Sequence, residues 1–239
     1  MKTNRTNSIR CSFVVVYAMA MAWVEAAVVF YLRSMMHRIV PYQEDPLPVL
    51  GGFGSVELPR ELATLVMLSA VGWLAGRTWR ARWGYAAIAF GAWDIFYYIF
   101  LKVMCGWPRS LLDWDILFLL PLPWWGPVLA PVLISSLLIA WGVFAVRGEN
   151  APAPVRLARP VWMLNLAGVA LALYVFMADT LAAAPGGTEA IRTALPQPFN
   201  WPLFAIALLL MAAPVVALAA KSRPWRRPAR GWDASQIPV

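Results

Sequence analysis

The chain has 239 residues, of which 61% are hydrophobic and only 13% charged, and its mean hydropathy is +0.63. Soluble chains carry about a quarter charged residues, so the composition excludes a soluble globular protein and leaves no room for a second, soluble domain. The net charge of +8 would suggest nucleic acid in a soluble protein. Here most basic residues flank apolar runs and none forms a patch with its own fold, which excludes nucleic acid and points to topology and anionic lipid.

The apolar runs are about 20 residues long, the length of membrane-spanning helices rather than of alternating barrel strands. Residues 1–10 are short and basic. Residues 11–32 are apolar apart from Glu25. Ala18, Ala20 and Ala22 resemble a signal-peptide cleavage pattern, but the run continues through Val28, Val29, Phe30 and Leu32, too long for a signal core. A retained first span is expected. A loop over 33–59 follows, with His37, Glu44, Asp45, the Gly51-Gly52-Phe53-Gly54 run and Glu57. Pro59 fits the first helical position of a second span at about 60–77. Arg77, Arg80 and Arg82 mark a tight basic turn before a third span at about 83–101.

The next stretch is unusual. Ser110-Leu111-Leu112-Asp113 has the form of a capping box, and Pro121 and Pro123 would stop the helix it starts. That leaves a half-helix at about 110–122, roughly 16 Å long and half the hydrocarbon thickness. It is expected to be re-entrant or interfacial. The fourth span is placed at 127–146, a basic linker at 147–160, the fifth span at 161–182, a Gly/Pro loop at 183–198 and the sixth span at 199–220. The expected fold is an all-α integral membrane protein, a six-transmembrane-helix bundle in one polytopic domain over 1–220. Residues 221–239 read as a basic, disordered tail.

Charge orients this bundle. With the N-terminus cytoplasmic, six of the 20 Lys and Arg lie outside (Arg33, Arg38, Arg60, Lys102, Arg109 and Arg192) and the other 14 inside, as the positive-inside rule requires. Counting 110–122 as a full crossing would spoil the pattern. Both termini are therefore expected in the cytoplasm, with the protein in the plasma (inner) membrane. Anionic lipids at the cytoplasmic face and other membrane proteins are the expected partners.

Acids show the opposite asymmetry, with only Glu149 and Asp233 on the cytoplasmic side. Carboxylates in hydrocarbon are costly and mark functional sites by default. At about 100° per residue, Ala18, Ala22 and Glu25 share a face of the first span. Glu61, Ser69, Gly72 and Gly76 share one on the second, Gly84, Ala87, Gly91, Asp94 and Tyr98 one on the third, and Asn165, Gly168, Ala172 and Asp179 one on the fifth. Small residues mark helix–helix contacts, so each acid is expected to face the bundle interior. The candidate intramembrane polar site is Glu25, Asp94, Tyr98 and Glu61. Arg109, Asp113, Trp114 and Asp115 form a candidate outer lid, and Arg60 and Arg109 are candidate counter-ions. Simpler roles stand beside these. Asp113 could serve only as a cap, Glu61 as a helix-dipole complement, Asp94 as a hydrogen-bonding partner of Tyr97, Tyr98 or a neighbouring helix, and Trp107, Trp114, Trp124 and Trp125 as an interfacial aromatic belt.

Several chemistries are excluded. With His37 the single histidine, a bis-histidine haem and an HExxH zinc site are impossible. The Gly51–Gly54 run lacks the Lys and Ser/Thr of a nucleotide-binding loop, and no Gly-x-Ser-x-Gly elbow occurs. Ser135 and Ser136 have no evident base. No cofactor is expected, and His37 with Glu57 is only a weak metal-ligand pair. Cys11 and Cys105 fall at opposite membrane faces, too far apart for a disulfide. Three functions fit: a small transporter or solute-binding protein with an outward-facing carboxylate site, an enzyme acting on a lipid-linked substrate at the outer leaflet, and an accessory or assembly subunit of a larger membrane complex.

Overall fold

The structure, a computed structural model, describes residues 2–41, 53–117, 122–150, 156–187, 190–191 and 198–222. Glu44, Asp45, Gly51, Gly52, Arg192 and the tail from 223 lie outside the described residues. Helices α1 (Lys2–Met35), α2 (Phe53–Ala75), α3 (Trp79–Cys105), α4 (Leu129–Arg147) and α5 (Arg159–Ala183) are followed by α6 (Trp201–Met211) and α7 (Ala213–Ser222), which run in tandem. Six helical segments are long and apolar enough to cross a membrane, the sixth being α6 with α7.

The helices outrun the apolar runs. Polar flanks satisfy their backbone groups by remaining helical, so hydropathy marks the span and not the helix end. Caps set the ends of α3. Thr78 Oγ1 accepts from Ala81 N–H at 3.2 Å, and Gly106, at φ 74, closes the last turn by donating to the Lys102 carbonyl. Pro59 does not begin α2 but lies inside it, because α2 starts at Phe53. The sixth span is broken at Ala212. Pro214 has no N–H for the Leu210 carbonyl and its ring crowds that group. At the break, Asn165 Nδ2 on α5 donates to the Met211 carbonyl at 3.0 Å.

Residues 110–117 are not helical, which corrects the expected half-helix. Ser110 Oγ accepts from Leu112 N–H at 3.1 Å and the Asp113 carboxylate accepts from Arg109 N–H at 2.7 Å. These bonds close a turn instead of capping a helix. Strand β1 (Trp114–Ile116) then pairs antiparallel with β2 (Trp125–Pro127), Asp115 opposite Gly126. The Ser-x-x-Asp pattern serves a turn as well as a cap, and cross-strand bonds satisfy the backbone here without a helix.

Helix α3 is the hub. Of its most apolar window 44% is buried, against 17–28% for the other spans, and α1, α2 and α4 all pack on it. Helix α5 pairs with α6. The contacts run over small residues. Ala18 and Ala22 of α1 are fully buried against α3. A Cβ on Gly91 would stand 2.6 Å from the Ser135 carbonyl oxygen, and one on Gly142 would stand 2.5 Å from that of Gly84. On α2 the buried face is Glu61, Thr64, Leu68 and Gly72, and Gly76, just past its end, is buried too. Ser69, expected on that face, is exposed, since it lies about 100° beyond Leu68.

These approaches generate a prediction. Gly91→Val forces α3 and α4 apart and destabilises the protein by about 1–3 kcal/mol, the usual range for overpacking. Thermal unfolding in detergent reads this as a lowered midpoint, whereas Ala170→Val, on an exposed position of α5, leaves the midpoint unchanged.

Candidate functional site

The polar residues gather at the end of the bundle that carries the hairpin. On α2, Glu57, Arg60 and Glu61 are three and four residues apart and so face one another along one side of the helix. Arg60 Nη2 and Nε reach Glu57 Oε2 at 2.5 and 2.8 Å. The same guanidinium forms an ion pair with Glu25 of α1. Thr64 Oγ1 adds a hydrogen bond to Glu25 Oε2 at 3.3 Å. Glu61 is buried and interacts electrostatically with Arg60 and Glu57. Since α2 starts at Phe53, Glu61 lies two turns inside the helix and is not the complement of its dipole.

A second cluster forms under the hairpin. Asp115 is 0% exposed and Arg33, in the last turn of α1, is 7% exposed. Arg33 Nη2 donates to Asp115 Oδ1 at 2.6 Å, and Ile116 N–H donates to the same oxygen at 2.9 Å. The guanidinium also lies over the Trp107 ring, 4.3 Å from its centroid. Tyr98 packs against Trp107 at 6.2 Å. Burial pushes the Asp115 carboxyl above its ordinary range, while Arg33 and the Ile116 N–H pull it back. Tyr98 adds a side-chain hydrogen bond to the Asp115 carboxylate, while Arg33 Nη1 and Trp107 Nε1 are buried without a hydrogen-bond partner. Buried polar atoms are rarely left so.

Asp94 lies deeper, between α3 and α4. Its partner is Ser135, whose Oγ donates to Asp94 Oδ2 at 2.8 Å; it is neither tyrosine. Both residues are buried. The close approach at Gly91, one turn earlier on α3, brings α4 within reach for this bond. Asp94 interacts electrostatically with Asp115. Tyr97 lies within electrostatic reach of Arg33, Arg60, Asp94 and Asp115.

Of the expected site residues, Glu25, Glu61, Asp94, Tyr98 and Asp115 thus belong to one polar region. The rest of the lid does not. The Arg109 side chain is exposed, and Arg33 takes the counter-ion role assigned to it. Asp113 is spent on the turn. Trp114 packs edge-on against Phe199 at 6.0 Å and lines a separate cavity of about 110 Å³ with Trp125, Tyr174 and Asp179. Trp107 and Trp125 are 2% and 5% exposed, which corrects their reading as an interfacial belt. His37 stands exposed in the turn after α1, Glu57 is held by Arg60, and among the described residues no three His, Cys, Asp or Glu converge to hold a metal. Cys11 and Cys105 are free thiols.

Sequence reasoning missed Arg33, Tyr97, Thr64 and Ser135 as site residues. Arg33 carried a readable signal, because it lies eleven residues beyond Ala22, about 20° from it around the helix. A cation on the buried small-residue face is a cation that points inward.

The ion pair gives the second prediction. Arg33→Gln leaves Asp115 buried without its cation and lowers stability by about 3–5 kcal/mol, and the carboxyl then takes up a proton. The double variant Arg33→Met/Asp115→Leu regains part of the loss. Unfolding midpoints of the wild type, Arg33→Gln and the double variant check both statements.

No family model, no curated protein and no solved structure matches this chain, so the polar region stands on its own chemistry.

Proposed function

We propose that this is a small transporter or solute-binding membrane protein whose site is the polar region under the hairpin. The observation that carries the reading is the pair of unpartnered buried donors, Arg33 Nη1 and Trp107 Nε1, beside the Asp115 carboxylate. A small solute with oxygen acceptors would satisfy both N–H groups. An amino acid or a hydroxy acid has this chemistry. Charge is already balanced by the Arg33–Asp115 pair, which favours a solute of little net charge. Binding sites of this kind use a few placed polar groups within an apolar surround.

An assembly-subunit role is the second reading. It is favoured by the commitment of Glu25 to Arg60, Asp94 to Ser135 and Asp115 to Arg33, each bond holding one element to another. The enzyme reading is weaker, because Asp113 turns toward Arg109 and away from the other acids' partners.

Trp107→Phe separates the first two readings. It keeps the ring under Arg33 and removes only the indole N–H. Purified protein is screened by thermal shift against amino acids and hydroxy acids. In the binding reading one class raises the midpoint of the wild type, and Trp107→Phe weakens that response by about tenfold, the value of one lost hydrogen bond to a polar ligand. No response in the wild type to either class, with Trp107→Phe unaltered in cells, would leave the assembly role.

A further inference from the structure

A cavity of about 780 Å³ lies at the other, basic end of the bundle, on a seam between two groups of helices. Helices α1, α2 and α4 pack on α3, while α5 packs on α6 and α7. At this end α4 and α5 meet through Trp141 and Trp162, edge-on at 6.3 Å, and the cavity lies between them and α3. Trp79 and Trp83 stand on the α3 side, 5.8 Å apart, and Ala87, Phe90 and Leu138 line the apolar interior. From Trp79 to Phe90 the lining runs about 16 Å along α3, half the hydrocarbon thickness. Charge has little part in the lining. The Arg80 guanidinium lies against Gly148, 3.7 Å from where a Cβ would stand. Arg156 is exposed, and its carbonyl accepts from Lys221 Nζ at 2.9 Å.

We propose that this cavity seats one lipid acyl chain, selected by its apolar length and not by its headgroup. With six helices long and apolar enough to cross a membrane, the surroundings of the seam are hydrocarbon. Close-packed protein leaves few voids larger than a water molecule, and water needs polar partners that Ala87, Phe90 and Leu138 do not offer. The cavity is therefore filled by an apolar molecule, and in hydrocarbon that molecule is a lipid chain. A helix from a second copy or a partner does not fit. It is about 10–12 Å across and rises about 5.4 Å per turn, so the cavity would hold less than two turns. A chain is narrow enough to follow the track from the tryptophans to Phe90. The indoles at its start suit the interface, where amphipathic rings are favoured. Seated there, the chain packs against α3, α4 and α5 at once and joins the two helical groups where their own side chains leave a gap.

The test uses the full chain in detergent and native mass spectrometry with dioleoyl phosphatidylglycerol, dioleoyl phosphatidylcholine and dihexanoyl phosphatidylcholine. One dioleoyl lipid is expected to remain bound whichever headgroup it carries, and the dihexanoyl lipid is expected to be lost. Ala87→Phe, which fills the track, should cut retention of both dioleoyl lipids by about tenfold, the scale of overpacking a filled site. Leu138→Trp fills it from α4 and keeps the test decisive where Ala87→Phe fails to fold. Ala170→Phe, on an exposed position of α5, should leave retention unchanged. Delipidated wild type should unfold at a lower midpoint than the lipid-bound protein, and Ala87→Phe should narrow that difference. Absence of a retained lipid, retention that follows headgroup and not chain, unchanged retention in the filling variants, or an equal loss in Ala170→Phe would overturn the proposal.

Discussion

A single buried ion pair holds the hairpin end of this molecule together. Arg33 ends α1 and Asp115 sits in β1, 82 residues later. Taking both charges out of water costs several kcal/mol for each, and the attraction repays this only with good geometry and further hydrogen bonds. Here the Ile116 N–H and the Trp107 ring supply part of what is needed. The pair therefore adds little net stability, yet either charge alone is costly. That asymmetry fixes the hairpin against α1 and α3 and excludes other placements of the segment. Tyr98, Trp107 and Val128 pack in the same small core with Ala26, so the polar contact and the apolar one reinforce each other.

The other charged contacts repeat this logic between different elements. Arg60 ties α2 to α1 through Glu25, and Ser135 ties α4 to α3 through Asp94. The second lies beside Gly91, where the backbones of α3 and α4 come close. Van der Waals packing over glycine and alanine supplies contact but little register in a membrane, since lipid tails are as apolar as leucine. One polar bond per helix pair supplies the register. The function proposed for the polar region follows from the excess over that need: donors on Arg33 and Trp107 that no helix pairing uses.

Much of the architecture was legible in the sequence, for identifiable reasons. The six long apolar helices were legible because a helix able to cross hydrocarbon must be apolar over about 20 residues. The inward faces of Glu25 and Asp94 were legible from the alanines and glycines beside them. Helix ends were not, since the polar turns at Lys2–Arg10 and Trp79–Arg82 are helical without being apolar. The hairpin was not, because Ser110 and Asp113 make the same local bonds in a turn as at a helix start, and strand pairing joins 114–116 to 125–127 across residues whose pattern shows no alternation. Of the acids' partners only Arg60, a named counter-ion, was legible; Arg33 and Ser135 were not, because each bonds to an acid on another element. Counting Arg33 as a loop cation, for topology, hid the side of the helix on which it lies.

The break in the sixth span has one more consequence. An unbroken helix spends every carbonyl on its own chain and can slide lengthwise past a neighbour at little cost. Helices α6 and α7 cannot, because the Met211 carbonyl is served by the Asn165 amide of α5. Gly168, one turn along α5, lies so close that a Cβ there would meet the Ala207 carbonyl at 2.7 Å. The amide and the glycine act together as a detent: α6 and α7 have one lengthwise setting against α5, and leaving it deprives an amide and a carbonyl of their partners at once.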